Sequence, residues 1–214
     1  YRHMCFFMSM LWFRSLARYE YALRVDDDVC VQRFEMNPFH AMRQHGLVYG
    51  YGLQTVERHN ETLETLPSWI SEYAVARQLE RPAPGLATRI FFTNLFISRV
   101  DWWFRAEVQQ FLSAIDRSGG VYTHRWGDAP IQSAAIELFA RPSTVARLPT
   151  DYLHVSTMNR IFRDGTEVDG WFDHEMQQHP ITRAHQRQLL EASSVNFSAS
   201  CVNSSRMNGS RANA

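Results

Sequence analysis

Hydrophobic and polar positions change period several times along the chain, and each change marks an element. Met4 to Tyr19 is largely apolar and lacks Gly and Pro, which predicts one buried helix. Tyr19, Tyr21, Leu23 and Val25 then alternate with Glu20, Ala22 and Arg24. This is the period of two expected of a strand, whose successive side chains point to opposite faces. The strand ends in Asp26-Asp27-Asp28. Asn37-Pro38 predicts a short helix running towards Gly46, with Asn37 as N-cap and Pro38 at the first helical position, where no N–H is needed. Leu47 to Leu53 reads as a second strand, and Leu63 to Leu79 as a helix after a loop bearing the glycosylation sequon Asn60-Glu61-Thr62.

Pro82, Pro84 and Gly85 mark a further loop. Ile90 to Val100 is rich in β-formers and predicts a buried strand, interrupted at Thr93-Asn94. Asp101 is positioned to cap the next helix, whose apolar face carries Phe104, Val108, Phe111, Leu112 and Ile115 and which Gly119-Gly120 would stop. Another helix follows Arg125-Trp126-Gly127-Asp128-Ala129-Pro130, with Ile131, Ala134, Ala135 and Leu138 on one face. Strands alternating with helices argue for an α/β domain. The residues from Glu191 to Ala214 include seven Ser and four Asn and read as a disordered tail.

Composition narrows the function classes. The chain has 214 residues, enough for one domain with its own core. Twenty-two basic residues balance 22 acidic ones, which removes the electrostatic footprint of a duplex nucleic-acid binder. All the basic residues are Arg, so Schiff-base and P-loop lysine chemistry are unavailable. The longest nearly apolar run, Met4 to Phe13, is about half the ~20 residues a membrane-spanning helix needs. Cys5, Cys30 and Cys201 form no metal-type spacing. The chain opens on Tyr1, from which we expect a fragment of a longer protein.

The sharpest chemical feature is Asp26-Asp27-Asp28, at the carboxyl end of a strand, where α/β sheets bind ligands. On an extended backbone Asp26 and Asp28 would point to one side and could hold a divalent cation, which in turn could neutralise a departing diphosphate. A solvated acidic turn is the plainer alternative. An EF-hand is a poor fit, because no Gly stands at the sixth position from Asp26. His174 and His179 are five apart rather than the four a zinc-protease helix requires, and Pro180 follows. No Ser lies in a nucleophile elbow. His154 sits in a short β-like stretch, and Cys5 and most Trp residues read as core.

Several blocks together resemble a family. Tyr1-Arg2-His3-Met4-Cys5, Arg24-Val25-Asp26-Asp27-Asp28, Asn37-Pro38-Phe39 and Tyr49-Gly50-Tyr51 are similar to segments of the fungal Golgi α-1,2-mannosyltransferases. So are Gly119-Gly120, the Arg125–Pro130 block with Ser133 and Leu138-Phe139, and Tyr152-x-His154. The resemblance implies a GT-A type, Rossmann-like α/β glycosyltransferase fold. It implies that residues 1–160 are the C-terminal part of the catalytic domain, with a partly helical flanking segment at 161–190 and the tail at 191–214. It also implies retaining transfer of mannose from GDP-mannose to a mannose hydroxyl of a glycoprotein or glycolipid glycan, with Mn²⁺ or Mg²⁺ as cofactor. The expected setting is the Golgi lumen, reached by an N-terminal membrane anchor outside this chain. By position, Asp26, Asp28 and His154 match the family's metal ligands, Tyr1 and Arg24 lie near the donor phosphates, and Asp128 is on the acceptor side.

One departure qualifies these expectations. Phe96 stands where the family places a Glu, its candidate nucleophile, and Phe cannot accept a glycosyl group. Transfer would then proceed on one face of the sugar, with the leaving diphosphate deprotonating the acceptor. The alternative is a catalytically inactive, glycan-binding relative, and a third reading is a metal-dependent phosphodiester hydrolase.

Overall fold

The computed structural model describes residues 1–79, 88–154, 160–163 and 166–167; for Cys30, Gln32 and the residues from 153 onward it describes the backbone alone. Helices α1 (Arg2–Met10) and α2 (Trp12–Ser15) open the chain, followed by strands β1 (Tyr21–Val25) and β2 (Val29–Phe34). Next come α3 (Pro38–Gln44), β3 (Tyr49–Tyr51), β4 (Gln54–Val56) and α4 (Asn60–Ala76). Then follow β5 (Arg89–Phe91), β6 (Leu95–Arg99), a 3₁₀ turn over Asp101–Phe104, α5 (Ala106–Ser118), α6 (Gly120–Thr123) and α7 (Asp128–Phe139). Strands β7 (Val145–Arg147), β8 (Thr150–His154), β9 (Arg160–Arg163) and β10 (Thr166–Glu167) complete the described residues.

The central sheet has the order β1-β6-β3-β7. It is mixed: β6 runs antiparallel to β1 and β3, while β3 and β7 are parallel. A second sheet, β10-β9-β8-β2, is antiparallel throughout, and β4 pairs with β5 as a small ribbon. Alternation along β6 sorts the core. Phe96 faces the largest cluster, with Phe13, Tyr49, Trp103, Phe111 and Ile131. Ile97 faces the layer formed by Met42, Leu47 and Leu148, whereas Leu95 packs with Phe34, Leu53 and Tyr152.

Several sequence expectations are met. Asn37 caps α3, its Oδ1 accepting from the backbone N–H groups of Phe39 and His40 at 3.0 and 3.2 Å. Gly119 ends α5 at φ 68°, the left-handed conformation that favours glycine. Gly120 beside it lies so close to the Trp126 ring that a Cβ would fall 2.3 Å from it. The break at Thr93-Asn94 separates β5 from β6, which join different sheets.

Others are corrected. The helix expected over Met4–Tyr19 is two helices divided at Leu11, and Met4 and Phe7 of the first are exposed, as is Leu11 itself. The break lets Trp12 and Phe13 turn into the core against Trp103. A run that is apolar on all sides carries no signal for which face is buried. Asp101 caps no helix: its two carboxylate oxygens accept from Arg99 at 2.7 and 2.6 Å, α5 begins only at Ala106, and Phe104 is exposed. The sequon at Asn60 lies on the first turn of α4 rather than in a loop. The Pro82–Gly85 loop, His174, His179 and the Ser/Asn-rich tail lie outside the described residues. No helix among the described residues is long and apolar enough to cross a membrane.

Candidate functional site

Strand β1 delivers Arg24 and then the acidic triplet. After Val25 the backbone leaves the extended conformation: the Asp26 N–H donates to the Asn94 carbonyl at 2.9 Å, and the Val29 N–H returns to the Asp26 carbonyl at 3.0 Å. Residues 26–28 are thus a tight turn between two strands. The backbone there is not extended, so strand alternation does not set Asp26 and Asp28 on one side. What brings the other expected ligand near is register. In the antiparallel pair of β2 and β8, His154 lies opposite Val29, the residue that follows Asp28. Residues opposed in this way have Cα atoms about 5 Å apart. The acidic turn and the end of β8 therefore share one end of the second sheet.

Arg24 ties this turn to a distant element. Its Nε donates to Asp26 Oδ1 at 2.7 Å and its Nη1 to Asp128 Oδ2 at 2.6 Å. Burial alone would lower the Arg24 pKa, but Asp128 and then Asp26 together outweigh it and hold the guanidinium above its ordinary value. Asp128 begins α7, where the helix dipole favours a carboxylate. Its Oδ2 also accepts from Thr93 Oγ1 at 2.9 Å. The buried Cys5 thiol of α1 lies within electrostatic reach of Asp128 and of the Tyr1 hydroxyl. Burial, then the Asp128 charge, push that thiol up. Burial and the neighbouring Cys5 likewise push the Tyr1 phenol up, although much of the residue's surface is exposed.

The block from Arg125 to Pro130 is pinned from α4. Thr62 Oγ1 donates to the Arg125 carbonyl at 3.0 Å, and Trp126 Nε1 donates to Thr65 Oγ1 at 2.8 Å. The buried Thr62 of the sequon is thereby committed to the site's scaffold. Arg125 has φ 55°, and its guanidinium carbon lies 4.4 Å from the centre of the Tyr1 ring. Gly127 lets the Tyr1 hydroxyl approach, since a Cβ there would stand 3.3 Å from it. Arg24, Asp26, Asp128 and Thr93 thus form one connected polar group, and Tyr1 stands beside it against Arg125 and Gly127. Phe96 is directly opposite Arg24 in the β1–β6 ladder and is fully buried, stacked on Tyr49 at 5.2 Å.

Sequence reasoning missed Thr93, Cys5 and Tyr49 as members of this neighbourhood. Cys5 and Tyr49 lay inside blocks that carried the family resemblance, and Thr93 lay at the strand break, but nothing local indicated what each would touch. For a divalent cation, the chemistry of Asp26, Asp28 and His154 is suitable: hard carboxylate oxygens with one imidazole accommodate Mn²⁺. Among the described residues no three His, Cys, Asp or Glu gather around one point, and the His154 imidazole is outside them. The Asp26 carboxylate is engaged by Arg24, so a cation would share or displace that contact.

The family model described as glycolipid 2-alpha-mannosyltransferase matches residues 1–169. Among relatives, a probable mannosyltransferase of Saccharomyces cerevisiae, YUR1, is 31% identical over 173 residues, covering 68% of this chain and 40% of its own length. The O-glycoside alpha-1,2-mannosyltransferase omh1 of Schizosaccharomyces pombe is 31% identical over 158 residues, covering 65% and 40%. The chain therefore spans about 40% of the length of these curated relatives. Core-mannan synthase A of Aspergillus fumigatus, in its Mn/GDP form, superimposes with a TM-score of 0.68 at 22% identity, over 79% of this chain and 54% of that one. The mannosyltransferase Ktr4p of Saccharomyces cerevisiae, in complex with GDP, gives 0.64 at 24%, over 74% and 46%. These likenesses establish the GT-A-like α/β fold. With the family model spanning most of its length, the chain belongs to the glycolipid 2-alpha-mannosyltransferase family.

Proposed function

We propose that this chain forms part of an α-1,2-mannosyltransferase that moves mannose from GDP-mannose to a mannose hydroxyl of a glycoprotein or glycolipid glycan, with retention at the anomeric carbon. The observation that carries the reading is the Arg24 bridge, which links the acidic turn to Asp128 across one guanidinium. The Mn/GDP and GDP complexes of the two structural neighbours support the choice of donor and cation.

Asp26, Asp28 and His154 are the residues that would hold Mn²⁺, which when bound would neutralise the diphosphate leaving group. Arg24 carries the cationic donors on the same side, and Tyr1 stands beside Gly127, next to Asp128; both would contact the donor phosphates. Asp128 would orient the acceptor by accepting a hydrogen bond from one of its sugar hydroxyls. The bond from the anomeric carbon to phosphate oxygen breaks, the bond to the acceptor oxygen forms on the same face, and the acceptor proton passes to the departing phosphate. Phe96 takes no chemical part. A Golgi-membrane setting belongs to the same reading.

The test is radiolabelled mannose transfer by the protein that carries this chain, with and without Mn²⁺. Asp26→Ala is expected to abolish transfer, and near-normal turnover would remove the metal assignment. Glycan binding without any turnover would favour a binding-only relative, and nucleotide cleavage without sugar transfer would favour a hydrolase.

A further inference from the structure

The break between β5 and β6 touches three parts of the site at once. Thr93 and Asn94 are both buried, at 5% and 2% exposure. Thr93 Oγ1 donates to Asp128 Oδ2 at 2.9 Å, at the start of α7. The next residue serves the acidic turn and the second sheet. The Asn94 carbonyl accepts from the Asp26 N–H at 2.9 Å, and its side-chain Oδ1 accepts from the Tyr152 hydroxyl at 3.4 Å. Tyr152 lies on β8, opposite Val31 of β2 and two places before His154. Its ring is fully buried among Phe34, Leu53 and Leu95. Gly52 makes room for that ring, since a Cβ there would fall 3.2 Å from Tyr152 Cε1. One asparagine thus spans the gap between the turn that carries Asp26 and Asp28 and the strand that carries His154.

Folding stability does not account for this residue. Asn94 Nδ2 is buried with no partner among the described residues, and an unpaired buried donor is costly. The contact from Tyr152 is long for a hydroxyl donor, so it offsets little of that cost. What the carboxamide supplies is direction: an uncharged acceptor aimed at β8 from the residue whose backbone holds Asp26. We infer that Asn94 is a positioning residue, which fixes the acidic turn relative to the end of β8 so that Asp26 and Asp28 from one and His154 from the other can serve a single cation. For that cation, the inference rests on the reading of the metal ligands given above.

Residue-resolved hydrogen exchange and Mn²⁺ binding, measured on the protein that carries this chain, test it. Without metal, Asn94→Leu and Tyr152→Phe should each speed exchange of the Asp26 amide by about tenfold, while the melting temperature moves by no more than about 4 °C. Each should also weaken Mn²⁺ binding on the order of tenfold, the size of loss seen when groups behind metal ligands are removed. Electron paramagnetic resonance of free Mn²⁺ reads this. The double variant should be no worse than either single one, because both break the same link. Asp26→Asn is the control for the cation. If it weakens Mn²⁺ binding while the Asn94 and Tyr152 variants do not, the positioning role is overturned and the cation reading stands. If it too leaves binding unchanged, the cation reading fails and the Asp26 amide alone decides. Faster exchange then keeps Asn94 as the anchor of the turn, and unchanged exchange removes it. Equal acceleration of amides throughout the core would make Asn94 a folding residue only and overturn the proposal.

Discussion

Arg24 and Asp128 lie 104 positions apart and meet in a 2.6 Å ion pair, with only 19% and 14% of their side-chain surfaces exposed. A pair so shielded loses more when one partner is removed than an exposed one does, because the other charge is left behind without compensation. Arg24→Gln is therefore expected to cost about 2 kcal/mol in urea denaturation. Asp128→Asn should cost less, since Thr93 still donates to it. The double variant should cost clearly less than the sum of the two; strict additivity would mean the pair contributes nothing.

Asp26 is more open, with 31% of its side chain exposed, and its pair with Arg24 is one of two contacts that guanidinium makes. Asp26→Asn should leave the fold stable to within about 1 kcal/mol. If the turn holds a cation, the same variant should bind Mn²⁺ at least about tenfold more weakly, a loss that second-sphere changes alone can reach. Electron paramagnetic resonance of free Mn²⁺ measures this directly, and unchanged affinity would move the cation elsewhere.

Glu137, on the outer side of α7, gives a pH prediction. Crowding by protein pushes its carboxyl up from 4.5 to about 7, with Arg89 pulling the other way. The fold therefore favours the neutral acid, so this group supports stability below about pH 4.5 and that support fades as pH rises towards 7. The residue keeps contact with water, which limits the change to on the order of 1 kcal/mol. Glu137→Gln should flatten the melting temperature over that interval, and an unaltered slope would exclude Glu137 as its source.

Gly120→Ala should be severe. The added methyl would fall 2.3 Å from the Trp126 ring, whose indole is itself fixed by Thr65. Overpacking at such a contact costs roughly 1–3 kcal/mol. Gly119→Ala should also destabilise, but through its φ of 68°, since nothing lies within 4 Å of the added Cβ. Chemical denaturation of the two variants, with activity measured alongside, separates displacement of the tryptophan from simple backbone strain.

Much of this architecture was legible in sequence because its signals are local. Asn37-Pro38 specifies an N-cap, Gly119 a helix stop, and the alternation before Asp26 a strand. The membership of the site was legible only through resemblance. No local rule indicates that Cys5 of the first helix, Thr93 at a strand break and Asp128 at a helix start will converge, since that depends on pairings between distant strands. The alternation up to Val25 does not say where the strand stops: of an extended acidic edge and an acidic turn, the chain forms the turn, because it reverses there to pair with residues 150–154. The division of the first helix at Leu11 was hidden by uniform hydrophobicity, which tells buried from exposed only when the two alternate.

Helix α7 is buried at seven successive positions from Pro130 to Ile136, on every side at once. Over those two turns the helix has no free flank on which to roll or slide, although its surface opens at Glu137, so the carboxylate at its first turn is fixed in direction by the interior beneath it.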